Sequence, residues 1–329
     1  MSTLQAAKAH VLAFYEALDA APPEQTAQVL ARFCAPDILW RGMHPFNTQR
    51  GPEAIAESFW AALKGAWPVI QRRPDMFIAG TNWIDDHGSM WVVQMGHLLG
   101  NFDAPWLGIR PSRKMTFLRY AEFHRIENGL IAETASYCDV LSVIGQAGYQ
   151  PLPKSTGAQI MAPAPRTQDG VLLQDAAPAE GAKTLALINA MVADLVGGGV
   201  ASPEDHLGRF WHDDMCWFGP AGIGASAWFD GYRRGHTGPF EDGLEFVRHN
   251  GHQARVAEGN FGGFFGYPSL TMRPTGGFLG LTQSTCEADM RIVDMYRRDG
   301  DKLAENWIFI DMLHFLKMQG VDILERIHL

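Results

Sequence analysis

No stretch of the 329-residue sequence approaches the roughly 20 uninterrupted apolar residues that a helix needs to cross a bilayer. Runs of basic residues are missing too: 27 Lys and Arg stand against 36 Asp and Glu, a formal charge of −9. Nothing in this balance can follow a phosphate backbone or hold an anionic surface, so neither nucleic acid nor a membrane is expected as a partner. Cysteine is scarce. Cys34, Cys138, Cys216 and Cys286 show no C-x-x-C spacing, which points away from a zinc site or disulfide framework and towards reduced thiols in a cytoplasm. The opening Met1-Ser2-Thr3 passes into an amphipathic pattern without a basic segment and apolar stretch, so no secretion signal is expected.

Several chemistries lack their motifs as well. There is no G-x-S-x-G, no G-x-x-x-x-G-K-[ST], and no G-x-G-x-x-G placed between a strand and a helix. His249 and His252 have no acidic or cysteine ligand pattern near them, and the Gly-rich Gly259 to Gly266 has no Lys, reading as a pocket lip rather than a phosphate cradle. No cofactor and no metal are expected.

What is present is a globular composition, 47% hydrophobic and 19% charged, at a length that suits two domains of about 150 residues. The sequence repeats itself. Leu30, Arg32, Phe33, Asp37, Trp40 and Gly42 recur as Leu207, Arg209, Phe210, Asp214, Trp217 and Gly219 at a constant offset of 177. A second block, Arg119, Arg125, Ala132, Glu133 and Asp139, recurs as Arg291, Arg297, Ala304, Glu305 and Asp311 at an offset of 172, with Glu122 meeting Asp294 and Tyr137 meeting Phe309. The second copy is therefore shorter in its middle. The expected division is 1–150 for the first copy, a Pro/Ala-rich linker over 151–183, and 184–329 for the second.

Each copy opens with a helical stripe, Val11, Leu12, Phe14, Tyr15 and Leu18 in one and Leu185, Ile188, Met191, Val192 and Leu195 in the other. A second helix follows over Thr26 to Phe33 and Pro203 to Trp211, with Ser202 as N-cap, and a third is expected after Gly51-Pro52. The rest of each copy alternates like strands, and Glu127-Asn128-Gly129 and Asp299-Gly300-Asp301 mark hairpin turns. Helices first, then an antiparallel sheet, is an α+β order.

The last hairpin of copy two, Tyr296 to Gly320, carries D-G, then E-x-W-x-x-x-D, then Q-G. It resembles the signature of SnoaL-like polyketide cyclases, in the nuclear transport factor two-like superfamily. Gly219 to Gly224 and Gly231 to Phe240 resemble that family's segment before and within the third helix. Copy one keeps Glu133, Asp139 and Gln146 but has Ala135 in place of the Trp. The resemblance implies two tandem cone-shaped α+β barrel domains, each with N-terminal helices on a curved antiparallel sheet around a pocket. It further implies that Asp311 and Asp139 match the acid/base Asp of a cofactor-free intramolecular aldol closure. Cones of this family pair through their sheets, which implies an intrachain pseudo-dimer and leaves room for a further homodimer.

Strand alternation puts Glu305, Trp307, Phe309 and Asp311 on one face, and Asp289 and Arg291 on the neighbouring strand add polar groups if that face is the concave one. Arg119, Glu133 and Tyr137 are the copy-one residues assigned to substrate binding, in a pocket that looks more apolar, and His236 is a candidate second proton carrier. Two plainer readings stand beside these. Glu305 and Arg291 form a structural ion pair, or Asp311 caps the following helix. The functional expectation is a cofactor-independent acid/base enzyme on a small apolar carbonyl compound, working by cyclisation, isomerisation or dehydration, with its active pocket in copy two. The rival is a non-catalytic binder of a hydrophobic small molecule.

Overall fold

A computed structural model describes residues 3–197 and 203–327. The first copy runs through helices α1 (Thr3–Ala20), α2 (Thr26–Phe33), α3 (Pro52–Ile55), α4 (Ala61–Ala66) and α5 (Val140–Gln146). Its strands are β1 (Cys34–Gly42), β2 (Thr48–Arg50), β3 (Gln71–Thr81), β4 (Met90–Asn101), β5 (Met115–Glu127) and β6 (Leu130–Cys138). They form one sheet in the order β2-β1-β6-β5-β4-β3. The second copy has α6 (Pro178–Val196), α7 (Pro203–Phe210), α8 (Trp228–Tyr232), α9 (Gly238–Gly243), α10 (Met312–Met318) and α11 (Ile323–Arg326). Its sheet runs β8 (Ala225–Ala227), β7 (Trp211–Phe218), β13 (Lys302–Ile310), β12 (Ala288–Asp299), β11 (Phe261–Pro274), β10 (Ala254–Glu258), with β9 (Leu244–His249) on the far half of β11. The Ser202 cap lies outside the described residues. No described helix is long and apolar enough to cross a membrane.

The copies agree down to an irregularity that periodicity does not reveal. A π turn over Ala56–Trp60 joins α3 to α4, and another over Arg233–Thr237 joins α8 to α9, again 177 residues on. The repeated W-x-G has a steric cause. A Cβ on Gly42 would stand 2.1 Å from the Trp40 ring, and one on Gly219 2.2 Å from the Trp217 ring. Only glycine lets the indole fold back over its own strand.

Two details differ from the expected cones. The sheets are mixed, because β1 pairs parallel with β6 and β7 parallel with β13. In copy one the antiparallel run β3 to β6 brings the chain back beside β1 in β1's own direction. The curved sheets also remain open, with β2 and β3 as the edges in copy one and β8 and β10 in copy two.

The segment between the copies covers two of those edges. Ala158 exchanges backbone hydrogen bonds of 2.7 and 2.8 Å with Ala225 of β8, and Phe77 of β3 bonds to Gly170 and Leu172 at 2.9 Å each. Between these points Pro163 O accepts from Trp307 Nε1 at 2.9 Å.

Every central strand has two buried faces. One face packs on its own copy's helices, with Phe14, Leu18, Phe59 and Tyr120 in copy one and Ile188, Met191, Tyr296 and Ile308 in copy two. The other packs on the opposite sheet, where Trp91, Phe123 and Tyr137 meet Phe261, Phe265, Trp307 and Phe309 in one apolar layer. Burying each such aromatic contributes about 2–3 kcal/mol. A buried ion pair also joins the copies: Lys8 Nζ of α1 lies 2.5 Å from Glu258 Oε1 of β10, and Glu258 Oε2 accepts from Ala79 N of β3 at 2.7 Å. Replacing Lys8 by Met leaves that carboxylate buried without its cation. The expected cost is about 3 kcal/mol, read as a lowered denaturant midpoint; an unchanged midpoint would show that the backbone donors alone satisfy Glu258.

Candidate functional site

The alternation read from the sequence is correct, but its face packs mainly between the sheets, with Glu305 and Glu133 lining open grooves at its end. Trp307, Phe309 and Tyr137 lie in the layer between the sheets, where Tyr137 donates to Gly266 O at 2.9 Å. Arg119 stacks over Phe309 at 4.2 Å and donates to Phe218 O at 3.0 Å; burial lowers its pKa to about 10. Glu133 takes Arg41 Nε at 2.7 Å. Glu305 pairs with Arg297, its cross-strand partner, rather than with Arg291, and accepts from Arg166 N at 3.1 Å. Asp289 accepts from Thr271 Oγ1 at 2.9 Å. Tyr137, Trp307, Phe309 and Arg119 thus lie where the two sheets meet, Glu133 and Asp289 bond within their own sheets, and Glu305 ties its strand to the segment between the copies.

The two signature aspartates make a reciprocal clasp. Asp311 Oδ1 caps α10 by accepting from His314 N at 3.1 Å, and its Oδ2 accepts from His44 N of copy one at 2.8 Å and Arg291 at 3.2 Å. Asp139 caps α5 through Ser142 N at 2.9 Å and takes Ala221 N of copy two at 2.8 Å. His44 and Ala221 are themselves 177 residues apart. The cap reading thus holds for Asp311, whose two carboxyl oxygens are both engaged and whose exposure is 0%. Burial pushes Asp311 up to about 6, against Arg291 and the two backbone donors. Gln146 is also structural: its amide both donates to and accepts from the Phe117 backbone, at 2.7 and 2.9 Å.

The opposite face holds a different set. In copy two, alternation on β12 and β13 turns Asp294, Tyr296 and Asn306 towards the helices. Asn306 Nδ2 donates to Asp294 Oδ1 at 2.9 Å and to Met295 O at 3.1 Å, so it orients the carboxyl. Asp294 keeps 8% of its surface accessible, unlike Asp311. Burial raises its pKa to about 7, with the Asn306 and Tyr296 side chains pulling the other way. Burial likewise raises the Tyr232 and Tyr296 phenols, with the Asp294 charge adding to it, so both stay protonated donors. His236, on the π turn, stacks on Trp217 at 4.0 Å and lies 5.2 Å from Tyr232. Burial lowers it to about 3, and its Nδ1 is buried without a hydrogen-bond partner. His236 is the one residue of the sequence-based site that faces this interior.

Copy one fills the same place with a polar network around Glu122. Glu122, the equivalent of Asp294, accepts from Tyr15 at 2.9 Å and Ser136 at 3.0 Å, with Arg72 at 3.7 Å. Arg72 grips Asp19 through two bonds of 2.9 Å and stacks on Tyr15 at 4.0 Å. Burial raises Glu122 while Arg72 opposes it, and His124, held between Tyr15 and Thr134, is lowered by burial to about 3. Where His236 stands, copy one has Phe59, packed on Trp40.

Residues 11–134 match the family model of a SnoaL-like domain. The first copy is a SnoaL-like domain. Among solved structures, the chain is similar to a candidate SnoaL-like polyketide cyclase from Jannaschia sp. CCS1, at 18% identity over 46% of this chain and 98% of that one, with a TM-score of 0.36. IdmH, a candidate polyketide cyclase from Streptomyces antibioticus, matches at 14% over 44% and 99%, TM-score 0.36. An NTF2-like protein from Burkholderia thailandensis E264 matches at 22% over 44% and 98%, TM-score 0.33. A search of the curated proteins found no match.

The raised pKa values of Asp294 and Asp311 fix the sign of their own contribution to the pH dependence of stability. Between the unfolded pKa near 4 and the folded values of about 7 and 6, the folded protein holds protons that the unfolded chain releases. Their stabilisation is complete below the unfolded value and is lost as pH rises through the folded ones. Each aspartate's share is read as a difference: the wild-type melting temperature should fall relative to that of Asp294→Asn between pH 4 and 7, since the buried histidines, whose lowered pKa values act with the opposite sign, are the same in both proteins. Asp311→Asn removes a share of the same sign but also weakens the clasp, at about 1–3 kcal/mol. Calorimetric melts of the three proteins across this range check both, and a difference between wild type and Asp294→Asn that does not change with pH would contradict them.

Proposed function

We propose that the chain acts as an intrachain pseudo-dimer in which copy two performs cofactor-independent acid/base chemistry on an apolar carbonyl compound. The SnoaL-like match supports a cyclase-like or ligand-binding role in general. Asp294 carries the specific reading. It is a carboxyl oriented by Asn306, set among protonated phenols, and balanced near neutral pH. A general base works best when its pKa lies near the operating pH.

In the proposed reaction Asp294 Oδ takes a proton from the carbon beside a carbonyl, and the C–H electron pair moves to form the enolate. Negative charge then rests on the carbonyl oxygen, where a Tyr296 or Tyr232 hydroxyl donates to it. The Asp294 carboxylic acid then returns the proton: to the same or another carbon, to the alkoxide formed when the enolate adds to a second carbonyl and closes a ring, or to a β-hydroxyl that leaves as water when the enolate collapses to the alkene. Trp217 and the neutral His236 ring supply an apolar wall. Copy one supports the binding and stability of the pair rather than turnover, since every oxygen of Glu122 already has a partner.

Loss of α-protons from 4-phenyl-2-butanone in D2O, followed by NMR, tests this. Exchange above the protein-free rate is expected, rising with pH through about 7 as Asp294 ionises. Asp294→Asn should lower it by about 10²–10⁴, while Glu122→Gln leaves it nearly unchanged. Wild-type exchange no faster than buffer would favour the binder, and equal exchange in wild type and Asp294→Asn would remove Asp294 from the chemistry.

A further inference from the structure

Arg255 lies in the same ladder row as Asp294. On β10, Ala254 and Val256 enter the layer between the sheets, so Arg255 faces the interior of copy two. It stands opposite Phe264 on β11, and Phe264 stands opposite Asp294 on β12. Two strand spacings separate the Arg255 and Asp294 backbones by about 10 Å. The charge of Arg255 also bears on the Tyr296 phenol beside Asp294.

The surroundings of this guanidinium are unusual for its burial. Arg255 is 5% exposed, yet its described partners are neutral. One terminal nitrogen donates to Asn189 Oδ1 at 2.6 Å and the other to His252 Nδ1 at 2.8 Å, while Nε is buried with no partner. Rings of Trp83 and Phe264 lie 5.0 and 5.6 Å from it. His252 stacks on Phe264 and is held neutral, so it contributes an acceptor and no charge. Among the described residues no carboxylate pairs with Arg255, whereas the comparably buried Arg72, Arg291, Arg297 and Arg298 each have one. Arg119 also has no carboxylate within ion-pair distance, but it is spent on backbone carbonyls between the sheets.

Copy one shows that the fold does not require a cation here. Its matching row runs from Phe77 through Gln94 to Glu122, and Phe77 is wholly buried. Burying an uncompensated guanidinium is costly, and a ligand that brings the missing negative charge recovers that cost.

We propose that the interior of copy two takes a carbonyl compound bearing a carboxylate, which pairs with Arg255 while the carbon beside the carbonyl lies against Asp294. The ligand class rests on the reading of this interior as the active one, and the spacing calls for an acid group several bonds from the reacting carbon, as in a γ- or δ-keto acid.

The test compares 4-oxopentanoate, 5-oxohexanoate and 4-oxo-4-phenylbutanoate with their primary amides, using calorimetric titration of the full chain. At least one acid should bind on the order of tenfold tighter than its amide. Arg255→Met should erase that preference, and Arg255→Lys should keep part of it. Asp294→Asn should retain the preference while losing proton exchange, which separates failure of the ligand assignment from failure of the catalytic one. Ligand-free Arg255→Met is expected to melt no lower than wild type, since an uncompensated cation has been removed. The proposal is overturned if no acid binds tighter than its amide to the wild-type chain, or if the preference survives in Arg255→Met.

Discussion

Face-to-face packing of the two sheets is the constraint from which the rest follows. Once Trp307, Phe309, Phe261 and Phe265 meet Trp91, Phe123 and Tyr137, every second residue of each central strand is committed to the other copy. The residues between them are left to face the helices, and chemistry has to be built from those. Asp311 and Asp139 fall on the first set and become a clasp: each caps a helix with one oxygen and holds a loop of the opposite copy with the other. Asp294 and Glu122 fall on the second set. The apolar layer thus decides which carboxyls are structural before any pKa is considered.

Duplication then allowed the two interiors to diverge on a shared frame. Copy one places Tyr15 on α1 where copy two has Val192 on α6, so only copy one can reach its carboxylate with a phenol from the helix. Copy two replaces Phe59 by His236, His124 by Tyr296 and Phe77 by Arg255 in matching positions. The first interior surrounds its carboxylate with partners, although Arg72 Nη1 there is buried without a hydrogen bond. The second leaves buried polar atoms unmatched at His236 and Arg255 and a carboxyl near neutrality.

Much of the frame was legible in the sequence. The offsets of 177 and 172, the hairpin turn at Asn128-Gly129, with both residues at positive φ, and the stripe through Val11, Phe14, Tyr15 and Leu18 depend on local chemistry that survives in the fold. The face of the site was not legible, for a physical reason. A strand with one solvated face shows which side is inward, but β12 and β13 are buried on both sides, so Trp307 and Phe309 alternate with Asn306 and Ile308 without a contrast in polarity. Aromatic residues and carboxyls occur on either face. Only the pairing of Glu122 with Asp294 across the repeat pointed to the carboxyl of the proposed site, and His236 stood out by its type.

The polar row in copy two runs against stability, and that is informative in itself. Natural folds retain few buried donors without partners and few buried cations without counter-charges, because each costs more than an apolar replacement of similar shape. Phe77 and Phe59 demonstrate that such replacements fit this fold, since they occupy the equivalent positions in copy one with full burial. The aromatic layer, the Lys8–Glu258 pair and the two aspartate clasps lie outside the second interior and supply the cohesion that lets it carry this cost. When a duplicated fold keeps the costly version in one copy only, along one ladder row and beside a carboxyl tuned towards neutral pH, a ligand that completes those interactions accounts for all three features together.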